Sequence, residues 1–207
     1  MSLARRERFA LVDTMAAFGP DARTLCGEWT VRDLAAHLVI RERRPDTAPG
    51  ILIPQLESYT EGVRRKAAAR PFQELLDEVR DGPPLWSPLW AVDSLVNTTE
   101  MFVHHEDVRR GSPGWEPRTL DPADEGKLWS TVRKMGRMSY RKAAVQVTLA
   151  TPDGERVTVH KSGAGEVVLT GAPSELLLHA FGRDEVEIEM SGSPADVESI
   201  RQLDRSV

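Results

Sequence analysis

Glu100 and His104 stand four residues apart, and Asp107 follows three residues later. On a helix this spacing puts all three side chains on one face, and Asp93 falls on the same face. Val92, Val96 and Val103 flank that line on one side, so the carboxylate and the imidazole are expected to be partly buried. Such burial is costly unless the groups pair with one another or hold an ion. His37 lies between Leu34 and Ile40 in a second helical stretch. Two helices carrying these residues can bring together two imidazoles and a carboxylate. His37, Glu100 and His104 would then be the three protein ligands of an open zinc site, with further positions kept for water or substrate. The same residues also fit quieter structures. Glu and His at i, i+4 form a solvated helix pair, and a histidine beside apolar residues is often a hydrogen-bonded core residue.

The other reactive side chains sort around this group. His105 is turned by about 100° from His104 and reads as a surface residue or as a support for a ligand. His160 and His179 have no partner at ligand spacing and read as ordinary strand and helix positions. Arg41, one turn after His37, and Arg44 beside it offer a clamp for a carboxylate substrate, or else a basic helix end favoured by the helix dipole. Cys26 has no basic neighbour in sequence to activate it and reads as a structural thiol.

These residues need helices to position them, and residues 1–142 read as helices punctuated by Pro and Gly. The first ends at Gly19-Pro20. The second has the clearest start, with Thr30 as N-cap and Asp33 three residues on, and should run to about Arg44, where Pro45 closes it. A third helical region covers about 54–80 with a break at Pro71. One long helix runs from Ser87 to Arg110 and is ended by Gly111, a residue suited to the left-handed position after a helix. A last helix covers about 123–142. From residue 143 the hydrophobic period changes to two: Val145, Val147 and Leu149, then Val157 and Val159, then Val167 and Leu169 alternate as an antiparallel meander. A short helix from Pro173, a strand at 186–190 and a helix from Pro194 complete it. The expected class is α+β: an antiparallel helical bundle over 1–142, whose core is where such folds place metals, and a small α/β domain with an antiparallel sheet over 143–207.

With 207 residues, 40% of them hydrophobic and 29% charged, the chain can bury a core unaided. No apolar stretch approaches the ~20 residues of a membrane span, and Asp13 interrupts the N-terminal apolar run, so neither a membrane segment nor a secretory signal is expected. One cysteine excludes an internal disulfide and a cysteine-cage zinc site and suits the cytoplasm. Residues 1–142 carry 22 basic and 21 acidic residues and the remainder 5 and 11, so neither part has the basic footprint of a nucleic-acid binder.

The run from Gly27 through Trp29, Thr30, Asp33 and His37 to Leu38 resembles the second-helix signature of the DinB-like bundles, specifically the mycothiol-dependent maleylpyruvate isomerase group. Glu100, His104 and Asp107, followed by Gly111, match that group's long helix. The meander with Ser174 to Leu178 and Gly182-Arg183 resembles its appended sterol-carrier-type domain. The resemblance implies that His37, Glu100 and His104 ligate zinc, that Asp107 orients a ligand imidazole from behind, and that mycothiol is the thiol partner. His105-Glu106 stand where the group has Gly-Trp, which places two polar residues near the expected pocket. This departure predicts a branch acting on an electrophile other than maleylpyruvate, by isomerisation or S-conjugation. Two further readings fit the same residues: a metal-binding protein without catalysis, and a small-molecule or lipid carrier.

Overall fold

The computed structural model describes residues 1–47, 57–87 and 94–205. Expectations for 54–56 and for 88–93, including Val92 and Asp93, lie outside the described residues, as does the side chain of Val96. The class is α+β, with eight α-helices and one four-stranded sheet among the described residues. They form two compact units, Met1–Trp115 and Glu116–Val207.

The first unit contains α1 (Leu3–Phe18), α2 (Val31–Arg43), a short 3-10 turn (Pro45–Thr47), α3 (Glu57–Ala68), α4 (Phe72–Asp81) and α5 (Ser94–Arg109). Gly19 ends α1 at φ 83°. Thr30 and Asp33 form a complete capping box on α2, each accepting a hydrogen bond from the other's backbone N–H. Leu11 and Met15 of α1, Leu34 and Leu38 of α2, Leu75 and Val79 of α4 and Met101 and Val108 of α5 make one core. A buried ion pair between Arg8 and Glu42 ties α1 to α2, and Arg8 Nη1 donates to the Val79 carbonyl at 2.7 Å, adding α4. No described helix is long and apolar enough to cross a membrane.

Gly111 differs from expectation. It is not among the glycines with positive φ, so it serves no left-handed cap. A Cβ there would lie 2.2 Å from the Arg23 carbonyl oxygen and 2.7 Å from Thr24 Cα. Glycine is required by the close approach of two backbones just beyond α5.

The second unit contains α6 (Pro122–Ser139), β1 (Gln146–Ala150), β2 (Arg156–His160), β3 (Glu166–Gly171), α7 (Pro173–Ala180), β4 (Ile188–Ser191) and α8 (Pro194–Arg201). The period change at residue 143 marks where the sheet begins. The compact unit begins earlier, because α6 packs on α7 and β2: a Cβ on Gly136 would sit 2.9 Å from Val159 Cγ1. The sheet is mixed, in the order β2-β1-β3-β4, which corrects the expected antiparallel meander. β1 pairs antiparallel with β2 but parallel with β3, in register from Gln146↔Glu166 to Ala150↔Thr170. Alternation assigns each residue to a face of the sheet, but it carries no information about which neighbour a strand takes. β1, buried from Val147 to Ala150, fills the inside position that a meander would have given β2.

His179 on α7 is also more constrained than expected. Only 1% exposed, it is hydrogen-bonded through Nδ1 to the Tyr140 hydroxyl at 2.6 Å, while Nε2 is buried without a partner among the described residues. Burial, aided by the nearby Arg205 guanidinium, pushes its pKa down to about 3. Below about pH 6.5 the unfolded chain takes up a proton that the folded chain refuses, so stability is full above that pH and is lost between about 6.5 and 3. Urea unfolding should show a loss of roughly 2 kcal/mol for this unit between pH 7 and 5, at about 1.4 kcal/mol per pH unit below 6.5. His179→Gln should flatten that dependence. A wild-type profile equally flat over this range would refute the assignment.

Candidate metal centre

Residue His105 sets the rotation of α5. Its Nδ1 lies 2.8 Å from Glu7 Oε2 and its Nε2 lies 3.0 Å from Thr14 Oγ1, both on α1. Fastening His105 to α1 turns its neighbour His104, about 100° around the helix, towards α2. Of the two places expected for residue 105, a surface position or a support for a ligand, the structure excludes the surface one: it is 4% exposed. Glu106, also buried, pairs with Arg109 and Arg110. These two polar residues are engaged within the helical packing rather than left free to line a pocket.

On α2 the capping box starts the helix at Val31, which places His37 and Arg41 one turn apart on the side facing α5. Glu100 Oε1 is the meeting point. It lies 3.2 Å from His104 Nε2, 3.6 Å from His37 Nε2 and 3.2 Å from Arg41 Nε. Ligand atoms of His37, Glu100 and His104 all fall within 4.8 Å of one another. A tetrahedral zinc with ligands at about 2.0–2.1 Å separates them by about 3.3–3.4 Å, so the donor set fits a cation after shifts of a few tenths of an ångström. The three side chains remain 13–22% exposed, which leaves the group open to solvent. Arg44 is not brought to it, because its guanidinium is held by Asp46 and Tyr59. Arg41 Nη1 is buried and has no hydrogen-bond partner among the described residues.

Burial and the hydrogen bonds of the group set its protonation, and a metal would have to displace a proton from His104. Burial holds His37 below its ordinary value, outweighing the Glu100 carboxylate and keeping the imidazole neutral with a lone pair available. Burial also opposes charge on Glu100 and His104, but their hydrogen bonds prevail. Glu100 is held well below the usual carboxylate range by the His104 and His37 imidazoles. His104 is held well above its ordinary value by Asp107, Cys26 and Glu100. Asp107, fully buried, takes the other nitrogen: its Oδ2 lies 2.9 Å from His104 Nδ1, the arrangement of a carboxylate that orients a ligand imidazole.

Two further residues complete the surroundings. Trp29 lies against His37, ring centroids 5.2 Å apart, and Arg64 covers Trp29 at 5.0 Å while pairing with Asp33 and Glu61. A tryptophan beside an N-cap reads as core packing, so its role depended on contacts distant in sequence. Cys26 Sγ lies 3.0 Å from Asp107 Oδ2 and 3.7 Å from His104 Nδ1. Its basic neighbour comes from 78 residues away, which local sequence does not reveal.

A helical unit presents an open group of two histidines and one carboxylate that could hold a metal ion. Residues 2–86 match the family described as mycothiol maleylpyruvate isomerase N-terminal domain. No curated protein and no solved structure gives a match.

Proposed function

We propose that the chain is a zinc-dependent, thiol-using enzyme. His37, Glu100 and His104 hold the metal, mycothiol is the thiol, and the reaction is isomerisation or S-conjugation of a small electrophile. In this reading the helices form a DinB-like bundle, the second unit is of sterol-carrier type, and the protein works in the cytoplasm. The observation that carries it is the convergence of three ligand side chains from α2 and α5, in a chain whose first 86 residues include the family match.

A zinc ion in such a site favours the thiolate form of a bound thiol, giving a strong nucleophile at neutral pH. The chain's own groups prepare the site for it. Glu100 and Asp107 carry two formal negative charges and Arg41 one positive, so a dication leaves one excess positive charge that a thiolate neutralises. Asp107 fixes the rotation of the His104 ring through Nδ1 and leaves Nε2 facing Glu100. Trp29 packs against His37 with its ring tilted by 43°. Arg41, whose Nη1 lacks a partner among the described residues, is the cation beside the site that would meet an anionic group on the substrate.

Cobalt-substituted protein titrated with mycothiol tests the reading. Sulfur ligation should add a near-ultraviolet charge-transfer band, absent from the Glu100→Ala variant, and binding should tighten as pH rises towards the free thiol's pKa. A spectrum unchanged by thiol while cobalt stays bound would instead support the non-catalytic metal-binding reading.

A further inference from the structure

His104 faces two groups of potential ligands, one at each ring nitrogen. On the Nε2 side are Glu100 and His37. On the Nδ1 side, Asp107 Oδ2 at 2.9 Å and Cys26 Sγ at 3.7 Å make a triangle whose third edge, Sγ to Oδ2, is 3.0 Å. We propose that Cys26, Asp107 and His104 Nδ1 form a second cation position, taken by a soft, thiophilic dication, which competes with the first through the shared imidazole. A tetrahedral ion with sulfur at about 2.3 Å and N or O at about 2.0 Å requires ligand separations of about 3.3–3.5 Å, and each observed edge is within roughly half an ångström of that.

The thiol is placed by the backbone. Leu25 N–H donates to the Asp107 carbonyl at 3.0 Å, joining the loop before α2 to the last turns of α5. Within the loop, Cys26 N–H donates to Thr24 Oγ1 at 3.1 Å and Thr24 Oγ1 donates to the Trp29 carbonyl at 2.8 Å. Gly111 lets this loop approach the end of α5 closely. Cys26 is half-buried and Asp107 fully buried, so a cation enters from the cysteine side.

Ligand chemistry separates the two positions. Two imidazoles and a carboxylate suit zinc and its borderline neighbours, whereas a thiolate selects softer ions. A neutral imidazole has one lone pair, so His104 serves one position at a time. In the metal-free protein the Cys26 thiol donates to Asp107 Oδ2. Binding at the second position releases to solvent both the thiol proton and the proton that His104 Nδ1 shares with Asp107, and leaves the remaining imidazole proton on Nε2, where Glu100 Oε1 at 3.2 Å accepts it. The first position then lacks one of its three ligands.

Cadmium titrated into the full chain tests this independently of the thiol-enzyme reading. One equivalent should produce a cadmium–thiolate ultraviolet band in the wild type and in Glu100→Ala, and none in Cys26→Ser, which keeps a donor to Asp107. Persistence in Glu100→Ala shows that the band does not depend on the first position, whatever zinc does there. No band in the wild type, a band surviving in Cys26→Ser, or its loss in Glu100→Ala would overturn the proposal. A second measurement needs no variant: cadmium should protect Cys26 from alkylation by N-ethylmaleimide, and an unchanged alkylation rate would refute it. In zinc-loaded protein, equimolar cadmium should release zinc from the wild type but not from Cys26→Ser. Equal release from both would overturn the competition.

Discussion

Alanine at His37, at Glu100 or at His104 is expected to abolish stoichiometric binding of zinc, while His160→Ala and His179→Gln keep one zinc per chain. Each of the three supplies one of the three ligand atoms gathered around Glu100 Oε1. Losing one leaves two ligands, too few for a tight zinc site. The effect should exceed the about 10–100-fold weakening that follows loss of a hydrogen-bond partner behind a ligand. Asp107→Asn supplies that comparison, since it weakens the hold on His104 Nδ1 without removing a ligand of the first position. Zinc content of protein purified without an affinity tag, measured by mass spectrometry after dialysis, reads the result. Full zinc content in both His37→Ala and His104→Ala would remove the assignment.

Gly111→Ala is expected to destabilise the first unit severely, by about 3 kcal/mol or more, because the new methyl group would overlap main-chain atoms of Arg23 and Thr24. A flexible side chain could move aside. These two residues belong to a segment held by a bridge between Arg23 and Thr30 and by the Val31 N–H bonded to the Ala22 carbonyl at 2.9 Å. The same displacement would move Cys26 away from His104 and weaken metal binding as well. Gly126→Ala is the control. Gly126 lies inside α6 with nothing within 4 Å of a Cβ, so the change should stabilise by about 0.5–1 kcal/mol through helix propensity alone. Urea midpoints of the two variants decide the matter, and a Gly111→Ala midpoint within error of the wild type would show that the backbone there yields freely.

Local rules made much of the chain legible. The Thr30–Asp33 cap, the stop at Gly19, the break at Pro71 and the starts at Pro173 and Pro194 follow from short-range chemistry, and the structure contains each. Helical spacing also placed Glu100, His104 and Asp107 on one face, because the 3.6-residue period is a property of the helix itself. That face could equally have met solvent, and nothing within either helix determined that His37 would lie opposite it.

The tertiary structure decided what depends on residues distant in sequence. It made β1 and β3 parallel neighbours, since alternation fixes the side on which a residue points and leaves strand order open. It made His105, which the sequence left as either a surface residue or a support for a ligand, the anchor of α5 on α1, and the Glu7 and Thr14 that hold it lie more than 90 residues away. It gave Gly111 a packing role in place of a conformational one and drew Cys26 to the imidazole of His104. By itself the sequence determined the helices, their caps and the face on which Glu100 and His104 stand, all set by interactions within a few residues. Which face meets which, and so which nitrogen of His104 meets Glu100 and which meets Asp107, was decided by packing between segments tens of residues apart.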